Sequence, residues 1–363
     1  MFQLAPMNSS LRPARGATFN RESGRFKLPE READGDWLDA SEAIDGAPPA
    51  LRTTVTVERP KTIITRNASP DVPFDRSINA YRGCEHGCIY CFARPSHAFH
   101  DLSPGLDFET KLFAKPDAPA LLRAELMKRG YSPRPLAMGT NTDPYQPIEG
   151  KWRITLALLE VLSECDHPVS ITTKSDRVTR DIDLIAPMAA KGLAAVALSI
   201  TSLDPKIART VEPRAPHPER RLAAVRKLAD AGVPVFVSIS PVIPAITDHE
   251  MEHLLERAAE AGARGAFYLP VRLPWEVAPL FKAWLDEYFP DRASKVMSIV
   301  HQLRGGRDND PNFFTRMRGQ GPWAELLRTR FNRMCTKLGL NAERMELRCD
   351  LFRPPEGSQM RLF

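Results

Sequence analysis

The sequence predicts an α/β fold of parallel strands, and three observations carry that prediction. From about Ile78 onward, six short apolar or β-branched runs alternate strictly with six longer stretches of helical period. Parallel neighbours need a crossover connection, and an intervening helix supplies one. Four of the runs also end in polar residues, on the edge of the sheet where a ligand site belongs. The pattern itself leaves two closures open, a flat doubly wound sheet and an open, incomplete barrel.

Taken in order, residues 1–52 are rich in Pro, Gly, Ala and charge without sustained periodicity, so an irregular or disordered segment is expected. Thr53 to Val57 (TTVTV) reads as a strand or extended arm. The strands are expected at Ser77–Tyr81, Leu136–Thr140, Val169–Thr173, Ala194–Thr201, Val233–Ser240 and Gly265–Val271. The helices are expected at Ala118–Arg129, Trp152–Glu164, Arg180–Lys191, Pro218–Ala231, His249–Ala261 and Trp275–Tyr288. This gives an α/β body over 53–290 and a basic, helical C-terminal extension over 291–363.

The N-terminus MFQLAPMNSSLRPARG lacks the apolar stretch of a secretory signal, and no run reaches the roughly 18 apolar residues of a membrane helix. A cytoplasmic protein with no membrane partner is the expectation. The net charge of +5 is compatible with a polyanionic partner and decides nothing alone. Between Arg304 and Arg348, however, ten cations stand against five carboxylates, with Phe313, Phe314, Trp323 and Phe331 interleaved. Two readings stand: a surface where bases stack while cations track phosphates, or a helix with its aromatics turned inward.

Six cysteines are present: Cys84, Cys88, Cys91, Cys165, Cys335 and Cys349. Cys165 reads as a small hydrophobe within a helix. The first three form C-x3-C-x2-C just after the first strand, in Tyr81-Arg82-Gly83-Cys84-Glu85-His86-Gly87-Cys88-Ile89-Tyr90-Cys91-Phe92. Three thiolates in so short a loop suit three corners of a [4Fe–4S] cluster, leaving one iron open for a chelating ligand. Zinc would need a fourth ligand, and no second knuckle is present. Gly83 and Gly87 let backbone N–H groups approach the sulfurs. His97 and His100 follow the loop and are expected to be solvated rather than ligating.

The motif C-x3-C-x-aromatic-C after the first strand of a six-unit β/α array resembles the radical S-adenosylmethionine (SAM) superfamily. Within it, YRGCEHGCIYCFARPSHAF, GLDFETKLF, GTNTDPYQPIE and ITTKSDRVTRD resemble the spore photoproduct lyase-like (DNA repair photolyase-like) branch and its uncharacterised members. The resemblance spans roughly Asn79 to Tyr288 and implies a partial (β/α)6 barrel. It implies that Cys84, Cys88 and Cys91 hold a [4Fe–4S] cluster that cleaves SAM reductively to a 5′-deoxyadenosyl radical, which abstracts hydrogen from a substrate. Tyr90 would then lie near the adenine, and Thr140, Asn141, Thr142 and Asp143 near the SAM amino group. Lys174, Ser199, Thr201 and Arg214 would face its carboxylate or ribose, with Ile243 against the adenine. An electron donor such as flavodoxin or ferredoxin and a nucleic-acid substrate are the implied partners. One departure stands out: spore photoproduct lyases carry a further cysteine near the end of the second strand, where this chain has Gly139 and Thr140. Cys335 and Cys349 are the candidates left for returning a hydrogen atom.

Other readings stay open. The substrate could be a peptide, a protein or a small metabolite, and the chain could instead be a non-catalytic nucleic-acid-binding or sensing protein stapled by zinc or a cluster. Glu149, Glu212 and Asp143 are each either site carboxylates or residues that cap a helix, form a turn or neutralise an arginine.

Overall fold

The computed structural model describes residues 15–25 and 51–355. The expected irregular segment therefore lies, for residues 1–14 and 26–50, outside the described residues. The main sheet has seven strands in the order β10-β9-β8-β7-β6-β3-β2. They are β2 (Ile64–Arg66), β3 (Arg76–Ile78), β6 (Leu136–Met138), β7 (Val169–Thr173), β8 (Ala194–Ser199), β9 (Val235–Val242) and β10 (Gly265–Pro270). All pairs are parallel except β2 with β3. The six parallel strands follow one another in chain order without the reversal that a doubly wound sheet requires. That settles the closure left open by periodicity in favour of the partial barrel.

The helices alternate with these strands as expected: α1 (Ala118–Leu126), α2 (Ile154–Glu164), α3 (Ile182–Ala190), α4 (Pro218–Asp230), α5 (Met251–Glu260) and α6 (Val277–Tyr288). Two more follow, α7 (Pro290–Leu303) and α8 (Gly321–Leu338). One apolar core joins the strands to α1–α5 and α8. A second joins α6 and α7 to Cys88, Ile89, Tyr90 and Ile243. Among the described residues no helix is long and apolar enough to cross a membrane.

The expected strand Ser77–Tyr81 is in fact two. After β3 the chain leaves the main sheet, and β4 (Tyr81–Arg82) joins a separate three-stranded sheet with β5 (Lys111–Ala114) and β1 (Thr54–Val57). Asn79 is the crossing point. Its side chain binds Thr140 Oγ1 at 3.0 Å and the Asn141 N–H at 2.9 Å, and its carbonyl accepts Lys115 Nζ at 3.0 Å. A residue whose polar groups face two different elements cannot also continue a ladder. Of the TTVTV run, Thr54–Val57 forms the strand β1, paired in parallel with β5.

The basic C-terminal segment divides between the two readings made of it. Phe331 is buried in α8 and Trp323 packs against the core, whereas Phe313 and Phe314 are exposed. Arg316 binds Asp71 through two contacts of 2.6 and 2.7 Å, and Arg330 binds Glu252. Arg304 is buried on the carbonyls of Pro270 and Val271.

Adjacent residues of α8 separate its two faces, since Leu327 is 1% exposed and Leu326 56%. Leu327→Ala should cost about 2–5 kcal/mol in urea unfolding, and Leu326→Ala no more than about 0.5 kcal/mol.

Candidate functional site

The three cysteines lie on one loop that leaves β4 through Gly83. Gly83 has φ +71°, and a Cβ there would come within 2.7 Å of the Phe108 carbonyl. Gly87 has φ +66°, with the Glu109 carboxylate 2.8 Å from where its Cβ would stand. Both positions therefore require glycine on conformation and on space. Turn bonds run from the Gly87 N–H to the Cys84 carbonyl and from the Cys91 N–H to the Cys88 carbonyl. A further bond ties the Cys84 N–H to the Phe108 carbonyl at 3.0 Å. All three thiols are free, with Cys84 and Cys88 buried and Cys91 half-buried.

Arg94 clamps this loop from inside. It is fully buried and donates to the carbonyls of Cys88, Gly87, Pro104 and Gly105 and to Glu109 Oε1, at 2.5–3.2 Å. Glu109, also fully buried, takes the backbone N–H groups of Gly16 and Ala17 at 2.9 and 2.8 Å. On the opposite side Gln146 accepts the Glu85 N–H and donates to the Gly83 carbonyl and Thr142 Oγ1. Sequence reasoning missed Arg94, Glu109, Gln146 and residues 15–18. The only visible signal was that the quoted loop segments contain charged residues with no helix face to occupy.

Around the loop the strand ends supply charge. Asp143 accepts Thr173 Oγ1 at 2.6 Å, the Lys174 N–H at 2.8 Å and the Tyr145 N–H at 2.9 Å, and lies 3.3 Å from His86 Nδ1. Burial would raise its pKa, yet the His86 ring and these donors hold it down at about 2. Glu212 accepts hydrogen bonds from the hydroxyls of Tyr90 and Thr201, and Arg221 Nη1 lies 2.5 Å from its second oxygen. Burial again opposes its charge, while Arg221 and Lys174, helped by those hydroxyls, bring its pKa to about 2. The Lys174 ammonium lies 5.7 Å from the centre of the Tyr90 ring. Burial disfavours its charge, but Cys88, Glu212 and Asp143 around it raise its pKa above the ordinary value.

The remaining expected residues can now be placed. Thr140 and Asn141 are half-buried and anchored on Asn79. The Thr142 hydroxyl donates to the Gly83 carbonyl at 2.6 Å. Ser199 is buried at the end of β8, where its carbonyl accepts Arg221 Nη1. Thr201 sits between Tyr90 and Glu212. Arg214 donates its N–H to the His86 carbonyl and pairs with Glu85 at 3.1 Å. Ile243 is buried in the same apolar cluster as Cys88 and Tyr90. Beside the loop opens a cavity of about 380 Å³ lined in part by His86, Ser175, Arg177, Arg214 and Arg220.

Of the two readings left open for Glu149, the structure shows the second: it accepts the Tyr81 hydroxyl, pairs with Arg180 at 2.8 Å and caps the start of α2 at Thr155. Two expectations are corrected. His97 is not solvated: it is buried, bonded to the Lys111 carbonyl at 2.9 Å, and desolvation lowers its pKa to about 4. Cys335 and Cys349 are at the wrong end of the barrel. Cys335 lies 3.8 Å from Asn341, which is bonded to Ala266 near the start of β10, and the Cys349 thiol is influenced by Arg134 and Arg76, which precede or open β6 and β3.

The donor set fits an iron–sulfur cluster. Three free thiols share one loop, and glycines expose backbone around them. Burial pushes the Cys88 thiol up to about 12, and a metal bound to the sulfur would favour the thiolate instead. Among the described residues no group of three metal-binding side chains is already gathered as a cage. The case therefore rests on the loop's thiols, their shared environment and the Arg94 clamp.

Comparison with known proteins bears on the same residues. The profile of the radical SAM superfamily matches residues 78–258. An uncharacterised protein of Mycobacterium tuberculosis is 38% identical over 233 residues, covering 64% of this chain and 68% of its own length. An uncharacterised protein of Methanocaldococcus jannaschii is 28% identical over 214 residues, covering 59% and 76%. Among solved structures, spore photoproduct lyase complexed with dinucleoside spore photoproduct aligns with a TM-score of 0.56 at 17% identity, over 79% of this chain and 81% of that one. A mutant of that lyase with AdoMet and the dinucleoside bound aligns with a TM-score of 0.54 at 17% identity, over 79% and 80%. At such identities the two structures establish a shared fold.

Because the Glu212 pKa is lowered from 4.5 to about 2, its stabilising contribution is complete above about pH 4.5 and disappears as pH falls to about 2. Glu212→Gln should flatten the acid limb of a stability–pH curve between those values. It should also cost about 3 kcal/mol at pH 7, because Arg221 is left buried without its counter-charge. Urea unfolding at a series of pH values reads both effects.

Proposed function

We propose that this chain, which belongs to the radical SAM superfamily, carries a [4Fe–4S] cluster on Cys84, Cys88 and Cys91 and uses it to cleave SAM reductively. The observation that carries the reading is the loop itself: three free thiols on one turn shaped by the obligatory Gly83 and Gly87, pinned by a fully buried arginine to the rest of the barrel. Held there, a cluster would supply the one-electron chemistry that splits SAM into methionine and a 5′-deoxyadenosyl radical able to take hydrogen from a substrate, the electron coming from an external donor. What the protein contributes is placement and enclosure.

Lys174, with its ammonium held charged beside the thiols, is suited to a carboxylate. Ile243, in the apolar cluster with Cys88 and Tyr90, offers a dry wall for a flat ring. The Glu212–Thr201 pair fixes the Tyr90 hydroxyl and with it the ring face. Arg214 already pairs with Glu85, so a second anion there would have to share its guanidinium. The electron would come from a one-electron carrier such as flavodoxin or ferredoxin.

For the substrate, a nucleic acid is favoured by the exposed pair Phe313 and Phe314 with Arg318 nearby in sequence, since bases stack on exposed rings. Arg316 and Arg330 are committed to Asp71 and Glu252. A non-catalytic, metal-stapled protein is the alternative, and SAM turnover separates the two.

Protein purified and reconstituted without oxygen should hold about four irons and four sulfides per chain. With dithionite and SAM it should form 5′-deoxyadenosine, and Cys88→Ala should form none. Zinc in place of iron, or a cluster that leaves SAM intact under every reductant, would make this a stapled binding protein. For the substrate, single-stranded oligonucleotide affinity should fall with salt on a log–log slope of several. Phe314→Ala should weaken that affinity by about 1–3 kcal/mol; equal binding by the two proteins would remove the aromatic pair from the argument.

A further inference from the structure

The segment of residues 15–25 has neither helix nor strand, yet its first four residues are almost completely buried. Arg15 donates to the Glu109 carbonyl at 2.9 Å, the Leu51 carbonyl at 3.1 Å and Thr53 Oγ1 at 3.2 Å. Thr53 in turn donates to Glu85 Oε1, one residue after Cys84. The Gly16 and Ala17 N–H groups donate to Glu109 Oε2 and Oε1, and Ala17 shares Oε1 with Arg94. Gly16 passes so near the cysteine loop that a Cβ on it would fall 1.8 Å from the Gly87 carbonyl oxygen. Ala17 packs in the apolar cluster that contains Cys88, Ile89 and Tyr90.

Further along, the segment is tied down at each step. Asn20 exchanges hydrogen bonds with Asp107, and Arg21 does the same through its backbone with Ser103 Oγ. Ser23 and Arg25 both bind Glu276, immediately before α6. Arg25 also donates to the Pro95 carbonyl and stacks 4.6 Å from the Trp275 ring. The chain therefore crosses the cysteine loop from the β1 side to the start of α6, anchored at both ends.

We propose that residues 15–25 are a strap that seals the cysteine loop, with Arg15, Gly16 and Glu109 as positioning residues that act on Cys88 through Gly87 and Arg94. This rests on the cluster reading for its consequence, but not for the closure itself. With the strap seated, two of the thiols are shut from solvent and the loop has one conformation. With it displaced, Glu109 loses two donors and the Gly87–Cys88 turn opens to water and oxygen.

The test uses the full chain and two readouts. Before reconstitution, the alkylation of Cys84 and Cys88 by N-ethylmaleimide is followed by mass spectrometry. After reconstitution without oxygen, the bleaching of cluster absorbance is followed on exposure to air. Gly16→Val, which cannot sit against the Gly87 carbonyl, should be alkylated at least about tenfold faster and should bleach faster by a similar factor. Arg15→Met, which creates no clash, should shift both rates in the same direction by a smaller factor. It serves should Gly16→Val fail to fold by circular dichroism. Alkylation and bleaching unchanged in both folded variants would overturn the strap. Wild-type chain that takes up no cluster would sink the proposed function, while the alkylation rates would still decide the strap.

Discussion

The structure of the site depends on one buried ion pair. Arg94 and Glu109 have no exposed side-chain surface, and together they fix the backbone of Gly87 and Cys88 from below and the N-terminal strap from above. Two charges taken from water need each other and need further hydrogen bonds; removal of either costs about 3–5 kcal/mol. Here those further bonds are the carbonyls of the cysteine loop and the N–H groups of the strap. The loop has no ladder or helix of its own to define it. Its conformation is defined by what satisfies a guanidinium with five donors.

A second set of bonds aligns that loop with the strand ends. Asn79 ties the exit of β3 to Thr140 and Asn141 after β6, and Asp143 ties the same region to Thr173 and Lys174 after β7. Thr142 and Gln146 then reach back to the Gly83 carbonyl. Several residues that would serve a ligand are thus already engaged with protein, through backbone atoms or one of two lone pairs. Residues at a strand end can both build the site and line it, and Lys174 shows the division: its N–H goes to Asp143 while its ammonium stays among the thiols and Glu212.

Much of this could be read in the sequence, for definite reasons. Val169–Thr173 is a strand because alternate positions are buried against helices on one side, and period two survives in the sequence. The helix expected at Pro218–Ala231 was placed to within a residue because Pro218 opens it at a position where proline lacks only an N–H that would be unpaired anyway. The cysteine spacing was local and so legible. Choosing a barrel was not, because strand order is a long-range property that periodicity does not encode. The strap was invisible for a related reason: Arg15–Ala17 is held by bonds spanning more than 90 residues to Glu109 and has no periodicity to announce it. His97 looked like a loop histidine until Phe108 and Phe113 were seen to enclose it.

The position where a lyase-type cysteine would be expected illustrates how geometry constrains chemistry. At Gly139 the backbone has φ +90°, and a Cβ would stand 2.0 Å from the Thr172 carbonyl oxygen. A cysteine there would force β6 and β7 apart, disturbing the strand ends that carry Asp143 and Lys174. Thr140, the next candidate, is committed to Asn79. Cys165, Cys335 and Cys349 all lie toward the other end of the barrel, and each thiol's pKa is raised, chiefly by burial. Among the described residues, then, the only thiols at the end of the barrel that carries Asp143 and Lys174 are the three of the loop. On the proposed reading, a substrate radical formed there would recover its hydrogen from a donor other than a thiol on these strand ends, or end as a product that needs none.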